Sequence, residues 1–346
     1  MAAPHPALRR AAIAVALKVR ARFSLPVGAR FSPPVGAGFS PLRRAGFGKF
    51  VGAGFSRPAP TFLLVALAIC GGVMRGHAAP QQPAPARIVS AVPSVTEILF
   101  AIGAGPQVVA VSSFDSYPPQ VASLPRIGGL LDPDVERILS LKPDLVVVYD
   151  TQVDLRIQLT RAGIPTFSFK HRGLPDILTA IRDVGRATGR VAEADRVAHG
   201  IEARLNAVRQ RVAGRPRPRT LLVMGRDPFA LRNIYASGGE GFLHDMLDAA
   251  GGVNVFADVR RESVQATSEL VLIRAPEVIL ELRGEFGSVR PEDDERDRTI
   301  WWTLPSVPAV RAGRVYIRRS ASFVIPGPRV AEAVEAIART LHPDAF

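Results

Sequence analysis

Asp134-Val135-Glu136-Arg137-Ile138-Leu139 continues to Leu141-Lys142-Pro143-Asp144-Leu145-Val146-Val147, and Thr267-Ser268-Glu269-Leu270-Val271-Leu272 continues to Ile273-Arg274-Ala275-Pro276-Glu277-Val278-Ile279-Leu280. The two stretches lie 133 residues apart and follow one template. A glutamate opens an amphipathic helix, a proline follows seven residues later, an acidic residue comes next, and a β-branched apolar run begins. Proline cannot continue the helix, so it marks the stop. Leu145 to Tyr149 and Val278 to Leu282 are near-continuous apolar runs rather than alternating ones, which is the pattern of a strand buried on both faces of a parallel sheet. Two copies of helix, stop and buried strand predict an α/β protein with two similar lobes.

The 346 residues suffice for two domains of ordinary size, and the 47% apolar share is that of a globular chain. The formal charge of +13 is unevenly placed: 11 of the 44 Lys and Arg precede Ala79, and the first acidic residue is Glu97. From Ala79 onward 33 basic residues face 31 acidic ones, so no basic footprint remains and no nucleic-acid partner is expected.

Phe62-Leu63-Leu64-Val65-Ala66-Leu67-Ala68-Ile69 has the length of a signal h-region and falls short of the roughly 20 residues that span a bilayer. Arg57 precedes it, and Gly76-His77-Ala78-Ala79 follows with residues small enough for signal peptidase. Residues 61–79 therefore read as a signal peptide that sends the protein to the periplasm. Lipoprotein processing at Cys70, the only cysteine, is disfavoured by the bulky Ile69 before it; cleavage near Ala78 leaves a mature chain without disulfides. Residues 1–60 carry a degenerate repeat, Phe23-Ser24-Leu25-Pro26-Val27-Gly28-Ala29 and Phe31-Ser32-Pro33-Pro34-Val35-Gly36-Ala37, too rich in Gly, Pro and Arg to fold. They read as a leader that is disordered or lies before the true start, between Leu42 and Val51. The alternative is a twin-arginine signal at Arg43-Arg44, with Phe47 out of the usual spacing.

An N-terminal lobe is expected over residues 87–172. Arg87 to Ser90 reads as its first strand, Ser94-Val95-Thr96-Glu97 as a capping box, and Asp132-Pro133 as the cap and first position of the repeated helix. Residues 174–213 show helical spacing, and Val191 to Val212 places Ala194, Val197, Ile201, Leu205 and Val208 on one stripe. That helix reads as the connector to a C-terminal lobe over residues 218–346. Strands alternating with helices predict a parallel sheet in each lobe, with the ligand beyond the carboxyl ends of the strands.

No catalytic or metal-binding constellation emerges, so the chain is not read as an enzyme, and no cofactor or metal is expected; an exported enzyme, with only His171 and Asp150 to offer, is the remote alternative. His171, His199, His244 and His342 show no metal-ligand spacing; only His171, just after a strand, is placed in the cleft. Gly238-Gly239-Glu240-Gly241 follows no expected strand and lacks the lysine of a phosphate loop. Glu292-Asp293-Asp294-Glu295 reads as a solvated loop. Glu136 and Glu269 each sit favourably near a helix N-terminus, yet their occurrence in both lobes suits docking onto a two-fold symmetric partner.

Arg87 to Gly103, Ser112-Ser113-Phe114 through Tyr117-Pro118-Pro119-Gln120, the Glu136 to Asp144 run and Pro328-Arg329 resemble the class III periplasmic binding proteins, a family of vitamin B12, ferric-siderophore and haem binders. The resemblance covers essentially Ala86 to the C-terminus. It implies two Rossmann-like parallel-sheet lobes joined by a long backbone helix, a monomer that moves little, and delivery of cargo to the permease dimer of an ABC transporter. It puts Glu136 and Glu269 at the positions that meet arginines on the two permease subunits.

The same resemblance assigns ligand contacts. Phe114 matches the first cleft aromatic and Tyr149 a second, with Tyr117 in the same motif; Leu130 and Ser263 stand where corrin-packing tryptophans would be, and Ala321 and Ile325 where an acidic-arginine pair would be. Arg226, Tyr235, Gln265, Arg283 and Phe323 follow or adjoin second-lobe strands and are the candidates on that side. The expected cargo is a corrinoid (cobalamin), with a ferric siderophore or haem as the alternative. A surplus of cleft arginines such as Arg172, Arg226 and Arg283 would favour an anionic iron chelate; an aromatic, weakly charged cleft would favour a corrinoid.

Overall fold

The computed structural model describes residues 83–284 and 291–346. The expected leader, the signal peptide and Cys70 lie outside these residues.

Ile88–Ser90 (β1) runs between Val108–Val111 (β2) and Leu145–Tyr149 (β3), and Thr166–Phe169 (β4) completes a four-stranded, wholly parallel sheet in the order β2-β1-β3-β4. Side chains alternate faces along each strand. Ile88 and Val147 point to one apolar cluster, while Val89, Val146 and Val148 point to another on the opposite face. With both faces covered, the central strands have no polar side to show, which is why they read as continuous apolar runs. β4 is an edge, and its Ser168 is exposed.

Helix α1 is Pro93–Ala101, α2 is Val135–Ser140 and α3 is Val153–Arg161. Two expected starts are corrected. The cap of α1 is Val92 with Pro93 at the first position, so Ser94 and Glu97 lie inside the helix and form no capping box. The cap of α2 is Asp134, not Asp132, whose carboxylate instead accepts the Gly129 amide at 3.1 Å.

Leu174–Thr188 (α4) and Val191–Val212 (α5) connect the lobes. They pack closely because Gly185 has no side chain: a Cβ there would lie 2.3 Å from the Cβ of Ala194. On α5 the buried positions Ala194, Ala198, Ile201, Leu205, Val208 and Val212 recur at helical spacing and form one stripe.

The second lobe contains Arg219–Gly225 (β5), Ile234–Ser237 (β6), Phe242–Ala249 (α6), Val253–Asn254 (β7), Ser263–Ala266 (β8), Ser268–Arg274 (α7), Val278–Arg283 (β9), Pro291–Thr299 (α8), Pro308–Arg311 (α9), Val315–Arg319 (β10) and Val330–Leu341 (α10). Its parallel strands β7, β5, β9 and β10 repeat the neighbour order of the first sheet. The sheet is not wholly parallel, however. β6 runs antiparallel to β5, and β8 antiparallel to β6. Ser263-Val264-Gln265-Ala266 alternates polar with apolar residues, the pattern of an antiparallel strand with one solvated face. The Gly238 to Gly241 loop therefore does follow a strand, and the acidic run at 292–295 lies in α8 rather than in a loop.

The repeat has a structural basis beyond its helix and strand. Asp134 caps α2 by accepting the Arg137 amide at 2.9 Å, and Thr267 caps α7 by accepting the Leu270 amide at 3.3 Å. Ile138 and Val271 are the buried anchors of the two short helices. Asp144 accepts the amides of Ala86 and Arg87 at 2.8 and 2.9 Å, and Glu277 accepts the amide of Arg219 at 2.8 Å. Arg87 in turn donates to the Leu141 carbonyl at 2.7 Å, and Arg219 to the Arg274 carbonyl at 2.8 Å. In each lobe the acidic residue after the proline pins the entry of the first strand, and an arginine at that entry closes the end of the repeated helix.

Candidate functional site

The carboxyl ends of β1 to β4 carry loops that are tied to one another. Ser113 donates its amide to the Gly128 carbonyl at 2.8 Å, and Arg126 donates to the carbonyls of Ser112, Asp115 and Val121 at 2.8 to 3.0 Å. Gln152 accepts the Tyr149 amide at 2.9 Å and donates to the Leu130 carbonyl at 3.0 Å, joining the end of β3 to the loop before α2. Phe114 lies against Gly129, where a Cβ would come within 2.8 Å of the ring. These bonds fix a wall on which Phe114 (51% exposed), Tyr117 (43%) and Leu130 (41%) stand open to solvent, beside the exposed Leu131. Exposed large apolar side chains on rigid loops are what a ligand face requires.

Tyr149 is set deeper, with its ring edge-on to Phe169 at 5.9 Å, and burial pushes its phenol up from the usual value. Below the wall lies Asp115, whose carboxyl is also raised by burial although the Ser112 hydroxyl donates to it at 2.5 Å.

The second-lobe candidates fare differently. Tyr235 and Gln265 are cross-strand partners of β6 and β8, and Ser263 pairs with Ser237; Ser263 and Gln265 are exposed and Tyr235 is half-buried. Phe323 is corrected: it follows β10 in a tight turn and packs beneath α10 at 3% exposure, as core rather than cleft. Ala321 and Ile325 are buried with it.

Arg226, with a side chain 1% exposed, is likewise not a free cleft cation. It pairs with Glu281 at 2.9 Å and Asp297 at 3.2 Å, and donates to the Asp297 carbonyl at 2.6 Å. Arg283 pairs with the same Glu281 and with Asp297 at 2.8 Å, and Arg319 pairs with Asp294. Trp301 donates its indole N–H to Glu281 at 2.6 Å. Burial opposes the charge of Asp297, yet the Phe229 amide and the two arginines outweigh it and hold its carboxyl below the usual range. Each of these buried cations is matched by an anion, as buried charges must be.

Two meeting places of the lobes concern the site. His171, after β4, lies between the Phe169 ring at 5.6 Å and the Phe242 ring of α6 at 5.7 Å, and Asp245 of α6 accepts the Leu174 amide at 2.9 Å. Burial holds the His171 imidazole below its ordinary value against the pull of Glu262, Asp176 and Asp150. At the second place Glu97 of α1 meets Arg329, the residue that caps α10. A hollow of 340 Å³ beside β4 is lined by Arg172, which is exposed, and one of 730 Å³ around Arg215, Arg314 and His342 lies away from the candidate residues. Among the described residues no group of His, Cys, Asp or Glu is placed to hold a metal ion.

Gln152, Arg126, Glu97 and Glu281 were not among the expected site residues. Glu281 carried a signal: it interrupts the apolar run at the position that Val148 fills in the first copy, and a carboxylate inside a central strand demands a partner.

The periplasmic binding protein family matches residues 88–321. The chain belongs to that family. It is 29% identical over 270 residues to the uncharacterized ABC transporter substrate-binding lipoprotein YvrC of Bacillus subtilis, covering 76% of this chain and 82% of that protein. It is 28% identical over 244 residues to the vitamin B12-binding protein of Salmonella paratyphi A, covering 69% and 86%. Among solved structures, the periplasmic vitamin B12 binding protein BtuF of Vibrio cholerae superposes with a TM-score of 0.65 at 26% identity, over 76% of this chain and 99% of that one. The periplasmic haem-binding protein RhuT of Roseiflexus sp. RS-1 gives 0.63 at 28% identity, over 75% and 99%. The protein is thus a class III substrate-binding component of an ABC transporter, not an enzyme, and its family works outside the cytoplasm beside a permease and its ATPase.

Proposed function

We propose that this protein carries a corrinoid between its lobes and hands it to a permease dimer at the inner membrane. The observation that supports this choice of cargo is the fate of the arginines. An anionic iron chelate calls for several free cations in the cleft, but Arg226 is buried against Glu281 and Asp297 and Arg283 is neutralised by the same pair of carboxylates, which leaves Arg172 as the exposed one of the three. What remains open on the first wall is Phe114, Tyr117 and Leu130, faces suited to packing on a macrocycle. Relatives named for vitamin B12 binding support the same reading.

The test is a titration of the chain from Ala79 to Phe346 with cyanocobalamin, followed by calorimetry. Saturable one-to-one binding at micromolar affinity or tighter is the expected outcome. Folded protein that ignores cyanocobalamin but binds haemin or a ferric siderophore would overturn the cargo and leave the transport role.

For docking, Glu136 and Glu269 occupy the same place in α2 and α7, both exposed, and each is followed one turn later by an exposed leucine, Leu139 or Leu272. The Thr267 hydroxyl and the local backbone hold the Glu269 carboxyl below its usual value, so it stays charged. Replacing both glutamates by alanine is expected to leave ligand affinity intact and abolish uptake; unchanged uptake would remove this role. Release into the periplasm by cleavage near Ala78, rather than anchoring at Cys70, is checked by the mass of the mature N-terminus.

A further inference from the structure

Glu97 and Arg329 are 232 residues apart in the chain and belong to different lobes, yet they form a two-pronged pair: Nε of Arg329 donates to one carboxylate oxygen at 2.9 Å and a terminal nitrogen to the other. Glu97 is 4% exposed. Both partners are carried by packed helices. Ser94 to Leu99 of α1 are buried, and so are Val330, Ala331, Ala333 and Val334 at the start of α10, which Arg204 of α5 also ties down through Glu332 and Glu335. The same Arg329 guanidinium lies 4.1 Å above the ring of Tyr117, on the first wall. A planar guanidinium can satisfy both demands at once, pairing at its edge and stacking on its face, whereas an ammonium has neither the two-pronged fork nor a flat face to stack.

Tyr117 itself hangs from the loop that Arg126 fastens through the Ser112 and Asp115 carbonyls. With one ring face against Arg329, its remaining exposed surface is presented in a fixed orientation. The two lobes therefore converge on one side chain: the first through Glu97 of α1 and through Tyr117 on the ligand wall, the second through α10.

We propose that Arg329 is a positioning residue that sets the separation of the two lobes and holds the Tyr117 ring at the cleft mouth, and so governs how fast the ligand leaves. This rests on the reading that the ligand lies between the lobes, but the lobe-spacing half of it is testable without any ligand.

The experiment uses Arg329→Lys, which keeps the charge and loses both the two-pronged pairing and the flat stack. Spin labels at Gln158→Cys on the first lobe and Arg260→Cys on the second, with Cys70→Ser, report the interlobe distance in the ligand-free protein. The expected result is a broadened distance distribution, and cyanocobalamin or haemin, whichever binds, dissociating about tenfold faster. Tyr117→Ala should speed dissociation without broadening the distances. Glu97→Gln, which keeps an acceptor for Arg329, serves if Arg329→Lys does not fold. A wild-type distance distribution together with a wild-type dissociation rate in the variant overturns the proposal. If the wild-type protein binds neither probe, the cargo reading fails by itself, and the distance distribution alone decides the role of Arg329.

Discussion

Lys142 and Ala275 share one left-handed backbone conformation, with φ of 47° and 45°, at the same place in two copies of the same template. Each ends its helix, the Lys142 amide bonding back to the Leu139 carbonyl and the Ala275 amide to the Val271 carbonyl, both at 3.0 Å. Neither is a glycine, so each bears the steric cost of a Cβ in that region, about 1 to 2 kcal/mol. The geometry is enforced from the next two residues, where proline stops the helix and the acid pins the neighbouring strand.

Ala275→Gly should therefore stabilise the protein, by up to about 1 kcal/mol after the greater freedom of glycine in the unfolded chain is subtracted. Ala275→Val should destabilise it. Urea midpoints measure both, and a glycine variant less stable than the parent would show that the conformation is unstrained.

Asp144→Ala and Glu277→Ala remove the same strand pin from the two lobes. Each is expected to cost up to about 1.5 to 3 kcal/mol, the range for hydrogen bonds to a charged acceptor. Asp144, which accepts two amides against one for Glu277, should cost more. Equal losses in urea unfolding would count against the second amide bond.

Glu281→Val copies into the second lobe the residue that stands at the equivalent point of the first. It should cost about 3 to 5 kcal/mol, because Arg226 loses one of its two buried counter-ions and the Trp301 indole loses its acceptor. Adding Arg226→Met should recover part of that loss. A double variant no more stable than the single one would mean that the damage comes from packing and not from unpaired charge.

His171 gives a pH dependence with a defined sign. Burial holds its folded-state pKa below the ordinary 6.5, so the unfolded chain takes up the proton first. Its contribution is present above pH 6.5 and is lost as pH falls below that value toward the folded-state pKa. His171→Phe, between the rings of Phe169 and Phe242, should remove this loss. Glu97 and Asp115, raised by burial above 4.5 and 3.8, act in the opposite direction on the acid side, so the quantity to follow is the difference between parent and variant at pH about 8 and about 5.5. A difference that does not change with pH would exclude the imidazole as its source.

Much of the architecture was legible in the sequence because it is written in periodicity. The 133-residue repeat predicted twin parallel cores, and the stripe on Val191 to Val212 predicted that helix with its observed ends. What escaped was tertiary. The alternation in Ser263 to Ala266 is too short to announce an antiparallel strand, and Glu97 next to Ser94 looked like a local cap because its partner is 232 residues away. The candidate site divides the same way. Phe114, Tyr117 and Leu130, which the family resemblance assigned, lie open on loops of the first lobe. Arg226 and Phe323 have similar chain positions, but burial sends one to a charge network and the other to the core, and adjacency to a strand cannot distinguish those outcomes.

The apolar cluster that begins at Ile88 in the first lobe continues through α4 and α5 to Leu222, Leu280 and Leu341 in the second. Two sheets that share an interior cannot swing apart like jaws without opening it to water. On the proposed reading, a ligand placed between the lobes would meet walls that are already assembled, and little of its binding free energy would be consumed in ordering them. Selectivity would then be left to the few side chains on the rim, where a substitution would change what is carried while the carrier keeps its shape.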